Sequence, residues 1–197
     1  MKRLRALLSD TEGATLIEFA LVAPVLLMVL MGIFDMSYNI YTSIMLEGAI
    51  QKAARDSTIE RAEGRQSQID AAVTRAVHHV APQADLQFSR KAYTNFTDVS
   101  EPEDFTDVDN NGTCNDGEPF EDINGNGKWD TDRGTDGFGS ARDAVLYTVT
   151  VDVPRLFPVA SLIGLPDTFS TQSETVLRNQ PFAPPDDREA NALVKNC

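Results

Sequence analysis

Apolar residues follow different rhythms along this chain, and each rhythm predicts a different element. From Ala14 to Phe34 the sequence reads ATLIEFALVAPVLLMVLMGIF, a run of 21 residues with one ionisable group, Glu18. It has no polar face, so it is not the surface helix of a soluble domain. As a helix it extends about 31 Å, enough to cross the hydrocarbon core of a bilayer. Pro24 is compatible with a membrane helix, which tolerates a local kink. Residues 35–62 lack proline and are rich in helix formers, so the helix is expected to continue. Tyr38, Tyr41, Ile44, Met45, Ile50, Ala53 and Ala54 roughly follow a helical stripe that would pack on a body. Tyr38 and Tyr41 are placed for the membrane interface. A break is expected over Gly64–Ser67, then a second helix over Gln68–Val80. Ile69, Val73, Ala76, Val77 and Val80 share one face of it, and Pro82 ends it. His78 and His79 have no metal-ligand spacing and read as surface residues.

Beyond Pro82 the period shortens to two. Leu86–Phe96 predicts one strand. Asp143–Val153 predicts the clearest, with Val145, Tyr147, Val149, Val151 and Val153 alternating with less apolar neighbours before Pro154. Thr168–Arg178 predicts a third. Leu156–Leu165, interrupted by Pro158 and Gly164, reads as a membrane-facing loop or a short helix. The predicted fold class is α+β: a long N-terminal transmembrane helix continuing into a small body of helix plus antiparallel sheet, with an acidic insert. The boundaries expected are a cytoplasmic leader 1–13, a transmembrane helix 14–34, an exported body 35–180 with the insert at 101–142, and a flexible tail 181–197 rich in proline and aspartate.

Charge sets the orientation. Lys2, Arg3 and Arg5 precede the apolar run and Asp35 follows it, so the N-terminus is expected on the cytoplasmic side and the body outside. The competing reading is a cleaved signal peptide, whose apolar region would be about 7–15 residues long with a small-residue cleavage site. The longer run here, followed by Asp35-Met36-Ser37-Tyr38, favours a retained span. The net charge of −13, from 30 acidic and 17 basic side chains, disfavours nucleic acid as a partner. Export also bears on the two cysteines, Cys114 and Cys197. A disulfide between them is allowed outside the cytoplasm, and a lipidated or free terminal thiol is the alternative.

Glu18 lies one turn inside the apolar run. A carboxylate at mid-membrane costs about 2.5–3.5 kcal/mol on insertion scales, and less near an end. Either it reaches the interface or it needs a cationic partner. The residues around it, Gly13 followed by Ala14-Thr15-Leu16-Ile17-Glu18-Phe19, resemble the prepilin pattern of type IV and Flp-type pilins. The run Ala20-Leu21-Val22-Ala23-Pro24 and the later Gln51-Lys52-Ala53-Ala54-Arg55 look like the TadE-like family of tight-adherence pseudopilins, and Val176-Leu177-Arg178-Asn179 resembles the close of its domains. The resemblance implies that a prepilin peptidase cuts between Gly13 and Ala14. It also implies that Glu18, beside Phe19, pairs with the freed amine of a neighbouring subunit, fixing axial register.

Within the acidic insert, Asp107, Asp109, Asn111, Gly112, Thr113, Asn115 and Glu118 fall on positions 1, 3, 5, 6, 7, 9 and 12 of a calcium loop. Such a loop curls oxygen ligands around one point, with glycine at the sharp turn. A second frame follows. Asp122, Asn124, Asn126, Gly127, Lys128 and Asp130 occupy positions 1, 3, 5, 6, 7 and 9, but position 12 is Arg133, which cannot ligate. Asp130 or Asp132 is the expected source of the missing carboxylate. The frame resembles dockerin-like and other extracellular calcium loops. Pro102 and Pro119 argue against flanking helices, so calcium loops within an extended insert are expected, holding one or two structural Ca2+ ions. The bland alternative is a hydrated linker of Asn, Asp and Gly.

No Ser-His-Asp constellation, phosphate-cradling glycine loop or zinc pattern stands out, so no enzyme is expected. The expected function is a minor pilin or assembly subunit of a tight-adherence type IV pilus in the bacterial inner membrane, supporting adhesion and biofilm formation. The partners expected are the lipid bilayer, other pilin or pseudopilin subunits, the prepilin peptidase and the pilus assembly machinery. The alternative is a non-fibrous, membrane-anchored calcium-binding adhesin or ligand-binding module.

Overall fold

The computed structural model describes residues 12–57, 66–140, 142–157, 159–162, 164–179 and 192–197. The chain divides into two compact units, residues 1–41 with 153–169 and residues 42–152 with 170–197. The leader 1–11 and most of the proline-rich stretch, 180–191, lie outside the described residues.

Helix α1 runs Glu12–Ser57, 46 residues, with Pro24 inside it. The second helix, α2, is Gln66–His78, starting two residues before the sequence suggests. The four-residue helix α3 is Val159–Leu162. The strands are β1 Asp85–Tyr93, β2 Pro119–Asp122, β3 Thr135–Asp136, β4 Ala144–Pro154, β5 Thr168–Arg178 and β6 Leu193–Asn196. Four of them form a sheet in the order β3-β1-β4-β5, and β2 pairs with β6. The long apolar helix followed by a small body of helix and antiparallel sheet is the architecture expected.

In the first unit, the side chains from Leu16 to Phe34 are almost all exposed, Leu21 at 74% and Phe34 at 62%. A continuous apolar cylinder of this kind needs an apolar surrounding. Among the described residues this is the one helix long and apolar enough to cross a membrane. Directly after the apolar run, Asp35 is buried and its Oδ2 accepts from Arg155 Nη1 at 2.5 Å. Arg155 also donates through Nε to the Pro166 carbonyl, 2.9 Å, and through its backbone N–H to the Asp167 carbonyl, 2.9 Å. One guanidinium therefore ties both ends of the α3 segment to the helix. Leu156 and Leu165 flank that segment, exposed like Leu162 within it.

In the second unit, Leu46, Ile50 and Ala53 of α1 are buried, as are Ile69, Val73 and Val77 of α2. The spacings of three and four make each set one helical face. On β4, Val145, Tyr147, Val149 and Val151 are at most 1% exposed, whereas the intervening residues are half-buried. β1 runs antiparallel to β4 along its whole length, from Asp85↔Asp152 to Tyr93↔Ala144. Asp70 of α2 ties helix to sheet: it pairs with Arg90 and accepts from the Tyr147 hydroxyl at 2.8 Å. Arg90 lies over the Tyr147 ring, 4.4 Å from its centroid, adding a cation–π contact to the ion pair.

Two differences from the sequence reading concern the end of the chain and the insert. The chain beyond Pro181 was expected as a flexible tail, yet its last residues form β6. They pair with β2 from Pro119↔Asn196 to Asp122↔Leu193. The physical reason is covalent as well as hydrogen-bonded: Cys197 is disulfide-bonded to Cys114 with Cα atoms 5.7 Å apart, and its N–H donates to the Glu118 carbonyl. Strands β2 and β3 also lie inside what reads from sequence as an insert without strands. They are four and two residues long, too short to show a period of two.

Candidate functional site

The insert takes its shape from an extended segment, Glu101–Thr106, that two other stretches flank. Phe105 bridges Phe120 in antiparallel fashion, and the Thr106 and Glu121 N–H groups donate to the Pro119 and Asp104 carbonyls. Along the same segment, the Glu103 N–H donates to the Asp130 carbonyl and the Arg133 N–H to the Glu101 carbonyl. Phe105 meets Trp129 edge to face at 5.4 Å, and Trp129 Nε1 donates to the Glu103 carbonyl, 2.8 Å. The first loop therefore lies before β2 and the second after it.

In the first loop, Asp107 Oδ2 accepts from the Gly112 N–H at 2.9 Å. Asp109 Oδ1 accepts from Asn111 N–H at 3.1 Å, and Asn111 Oδ1 from Thr113 N–H at 2.7 Å. Glu118, buried, closes the loop: its Oε1 accepts from the Val108 N–H at 2.6 Å and its Oε2 from the Asn115 N–H at 3.2 Å. Asp107, Asp109 and Glu118 bring carboxylate oxygens within 4.8 Å of one another. The Gly112 N–H is the main influence holding the Asp107 carboxyl below its ordinary range. Glycine is required at the turn, because Gly112 has φ +78°. Cys114, at position 8, is anchored by the disulfide. Thr113 and Asn115 stand in the loop at positions 7 and 9, Thr113 exposed and Asn115 half-buried.

The second loop repeats three of these bonds, those accepted by the side chains at positions 1, 3 and 5. Asp122 Oδ2 accepts from the Gly127 N–H at 2.9 Å. Asn124 Oδ1 accepts from Asn126 N–H at 3.1 Å, and Asn126 Oδ1 from Lys128 N–H at 2.8 Å. Gly127 has φ +80° and Gly125 +76°, against +78° at Gly112 and +60° at Asn110. Both Asn124 and Asn126 donate to Asp130 Oδ2, at 2.8 Å and 2.5 Å.

Asp132 does not join this loop. Its carboxylate takes the Lys91 ammonium at 2.7 Å and the Tyr93 hydroxyl at 2.9 Å, which ties the insert to β1 instead. Burial opposes the Asp132 charge, but Lys91, the Gly134 N–H and Tyr93 outweigh it and hold the carboxyl below its usual range. Burial, reinforced by Asp132, pushes the Tyr93 phenol up to about 12. The β1 partners of Asp132, Lys91 and Tyr93, were not legible in the spacing of the insert.

Sequence reasoning missed Glu103. It is 1% exposed and lies against the second loop, its oxygens accepting from the Ile123, Asn124 and Asp130 N–H groups at 2.9, 3.3 and 3.1 Å. Burial pushes its carboxyl up, while those three N–H groups pull the other way. The one signal available in the sequence was a glutamate between prolines and acids, in a segment whose strand partners were not legible.

At the other end of the chain, Gly13 and Ala14 lie within α1, and Glu18 and Phe19 are exposed on it among the apolar side chains. These features define a protein of small α+β body with, among the described residues, one apolar helix suited to single-pass membrane anchoring. Residues 13–55 match the family model described as TadE-like protein, which bears out the resemblance over that segment and points to a pseudopilin-type protein associated with a Tad pilus. No curated protein and no solved structure matches the chain.

Proposed function

We propose that this protein is a minor pseudopilin or assembly subunit of a tight-adherence pilus, held in the bacterial inner membrane by α1 with its N-terminus cytoplasmic and its body outside. The observation that carries the proposal is the coincidence of the TadE-like match at 13–55 with an exposed apolar helix carrying a lone Glu18. In this reading a prepilin peptidase removes residues up to Gly13. Glu18 then meets the cationic amine of Ala14 on a neighbouring pilin or pseudopilin. Pairing offsets the cost of a carboxylate in the membrane and sets the axial register. Phe19 packs against the same neighbour. The role is structural rather than catalytic, with adhesion and biofilm formation as the outcome.

The first loop of the insert is assigned a structural Ca2+. The support is the clustering of Asp107, Asp109 and Glu118, with Asn111, the Thr113 carbonyl and Asn115 completing an oxygen set. Extracellular calcium modules work at about 10⁻⁴–10⁻³ M, so such a site would be occupied continually outside the cell. Glu18→Gln tests the anchor's role. Surface fibres and attachment should fall sharply while the protein still reaches the membrane. Normal fibres with a neutral residue 18 would overturn the assembly role.

A further inference from the structure

Where the first loop has its closing carboxylate, Glu118 at position 12, the second has Arg133, and the structure shows what stands in for that carboxylate. In the first loop, Glu118 gives one oxygen to the N–H of position 2 and the other to the N–H of position 9. In the second loop, position 12 is Arg133, yet the N–H groups of positions 2 and 9, Ile123 and Asp130, donate to the two oxygens of Glu103. Glu103 thus stands to the second loop as Glu118 stands to the first, although it precedes the loop by nineteen residues (122 − 103). Arg133 has a use of its own: its guanidinium donates to the Pro102 carbonyl and to Asp104 Oδ2, at 2.8 and 3.0 Å. It grips the segment on both sides of Glu103.

An independent feature points to a ligand. Asp122, at position 1, is 4% exposed, and its Oδ1 has no hydrogen-bond donor, although Oδ2 is bonded within the loop to Gly127. A buried, donorless carboxylate oxygen beside a second buried carboxylate is unfavourable unless a cation joins them.

We propose that Glu103 supplies the closing carboxylate of a second divalent-cation site, made with Asp122, Asn124, Asn126, the Lys128 carbonyl and Asp130, so that the insert holds two Ca2+ ions rather than one. This rests on the reading of the insert as calcium loops. Its distinctive content is the donor, which comes from outside the loop. Because the donor is remote, occupancy of the second site fastens the 101–106 segment to the 122–133 loop.

The test uses the full chain in detergent micelles, with calcium titrated calorimetrically and terbium luminescence excited through Trp129. Trp129 is the chain's single tryptophan and lies next to Asp130. Wild type should bind two calcium ions. Glu103→Gln should bind one, with Trp129-sensitised terbium luminescence at least tenfold weaker. Glu118→Gln should also bind one but keep that luminescence. Retention of the first ion by Glu103→Gln shows that its insert is folded. Should that variant lose both ions, infrared spectra of Glu118→Gln labelled with ¹³C-glutamate decide the matter. One glutamate carboxylate band should still shift on adding calcium, and its failure to shift overturns the proposal. Two ions bound by Glu103→Gln at wild-type affinity also overturn it. If wild type binds no calcium, the calcium reading itself is at fault.

Discussion

At the scale of single residues, hydroxyl–carboxylate pairs made by buried tyrosines give this body a definite response to alkali. Tyr93 donates to Asp132, and its phenol is raised to about 12. Tyr147 donates to Asp70 and is raised by burial, then by that carboxylate. A raised phenol means the fold favours the protonated form. That contribution is complete below the ordinary value near 10 and is lost as pH rises through the folded value. Tyrosinate absorbance followed with circular dichroism should show the body losing structure as Tyr93 ionises at about 12. Tyr93→Phe should remove that step. Ionisation of Tyr93 near pH 10 with the fold intact would contradict the assigned hydrogen bond.

The position-6 glycines offer a second residue-scale prediction. Gly127→Ala places a Cβ at φ +80°, a strained conformation for any L side chain, and should destabilise the second loop by about 1 kcal/mol or more. Limited proteolysis should find faster cleavage near 125–130 in calcium buffer. At this scale the sequence was informative where a fixed spacing brings side chains together, as with the carboxylates of Asp107, Asp109 and Glu118. It was silent about Glu103, whose partners are reached through strand register, and about Lys91 and Tyr93, the partners of Asp132 on another strand.

Among the elements, β4 was legible because burial on one face writes a period of two into nine or more residues. Val149 lies at its centre and is fully buried. Val149→Ala removes about two methylene equivalents and leaves a cavity, so a loss of about 2 kcal/mol is expected in denaturant unfolding. The β2–β6 ribbon was illegible because Leu193 and Val194 are exposed and β6 is only four residues long. Its stability should depend on the disulfide. With a sequence separation of 83 between Cys114 and Cys197, closing that loop contributes about 4–5 kcal/mol in the chain-entropy description. Cys114→Ser with Cys197→Ser should therefore expose the chain end to carboxypeptidase and lower Tm. An unchanged Tm and a protected end would show that hydrogen bonding alone holds β6. Asp35→Ala is the corresponding test at the helix. It leaves the half-buried Arg155 without its carboxylate, and proteolysis within 156–165 should accelerate.

For the whole molecule, the sequence announces the apolar helix plainly, because lipid demands an uninterrupted apolar run. In the proposed reading of the insert, calcium adds a separate dependence on the surrounding medium. Carboxylates gathered in the insert repel one another until cations join them. Asp107→Ala with Asp122→Ala should raise protease sensitivity in calcium buffer to the level seen with chelator in wild type, whereas equal digestion of wild type with and without chelator would count against both loops.

The central claim is that α1 is a pilin-type anchor, matured at its cytoplasmic border and retained in the membrane. Intact-mass analysis of protein extracted from membranes, with and without an active prepilin peptidase, addresses it directly. The mass should correspond to a chain beginning at Ala14 when the peptidase is active and to the full chain when it is not. A product lacking the whole apolar helix, or one whose mass ignores the peptidase, would contradict the account.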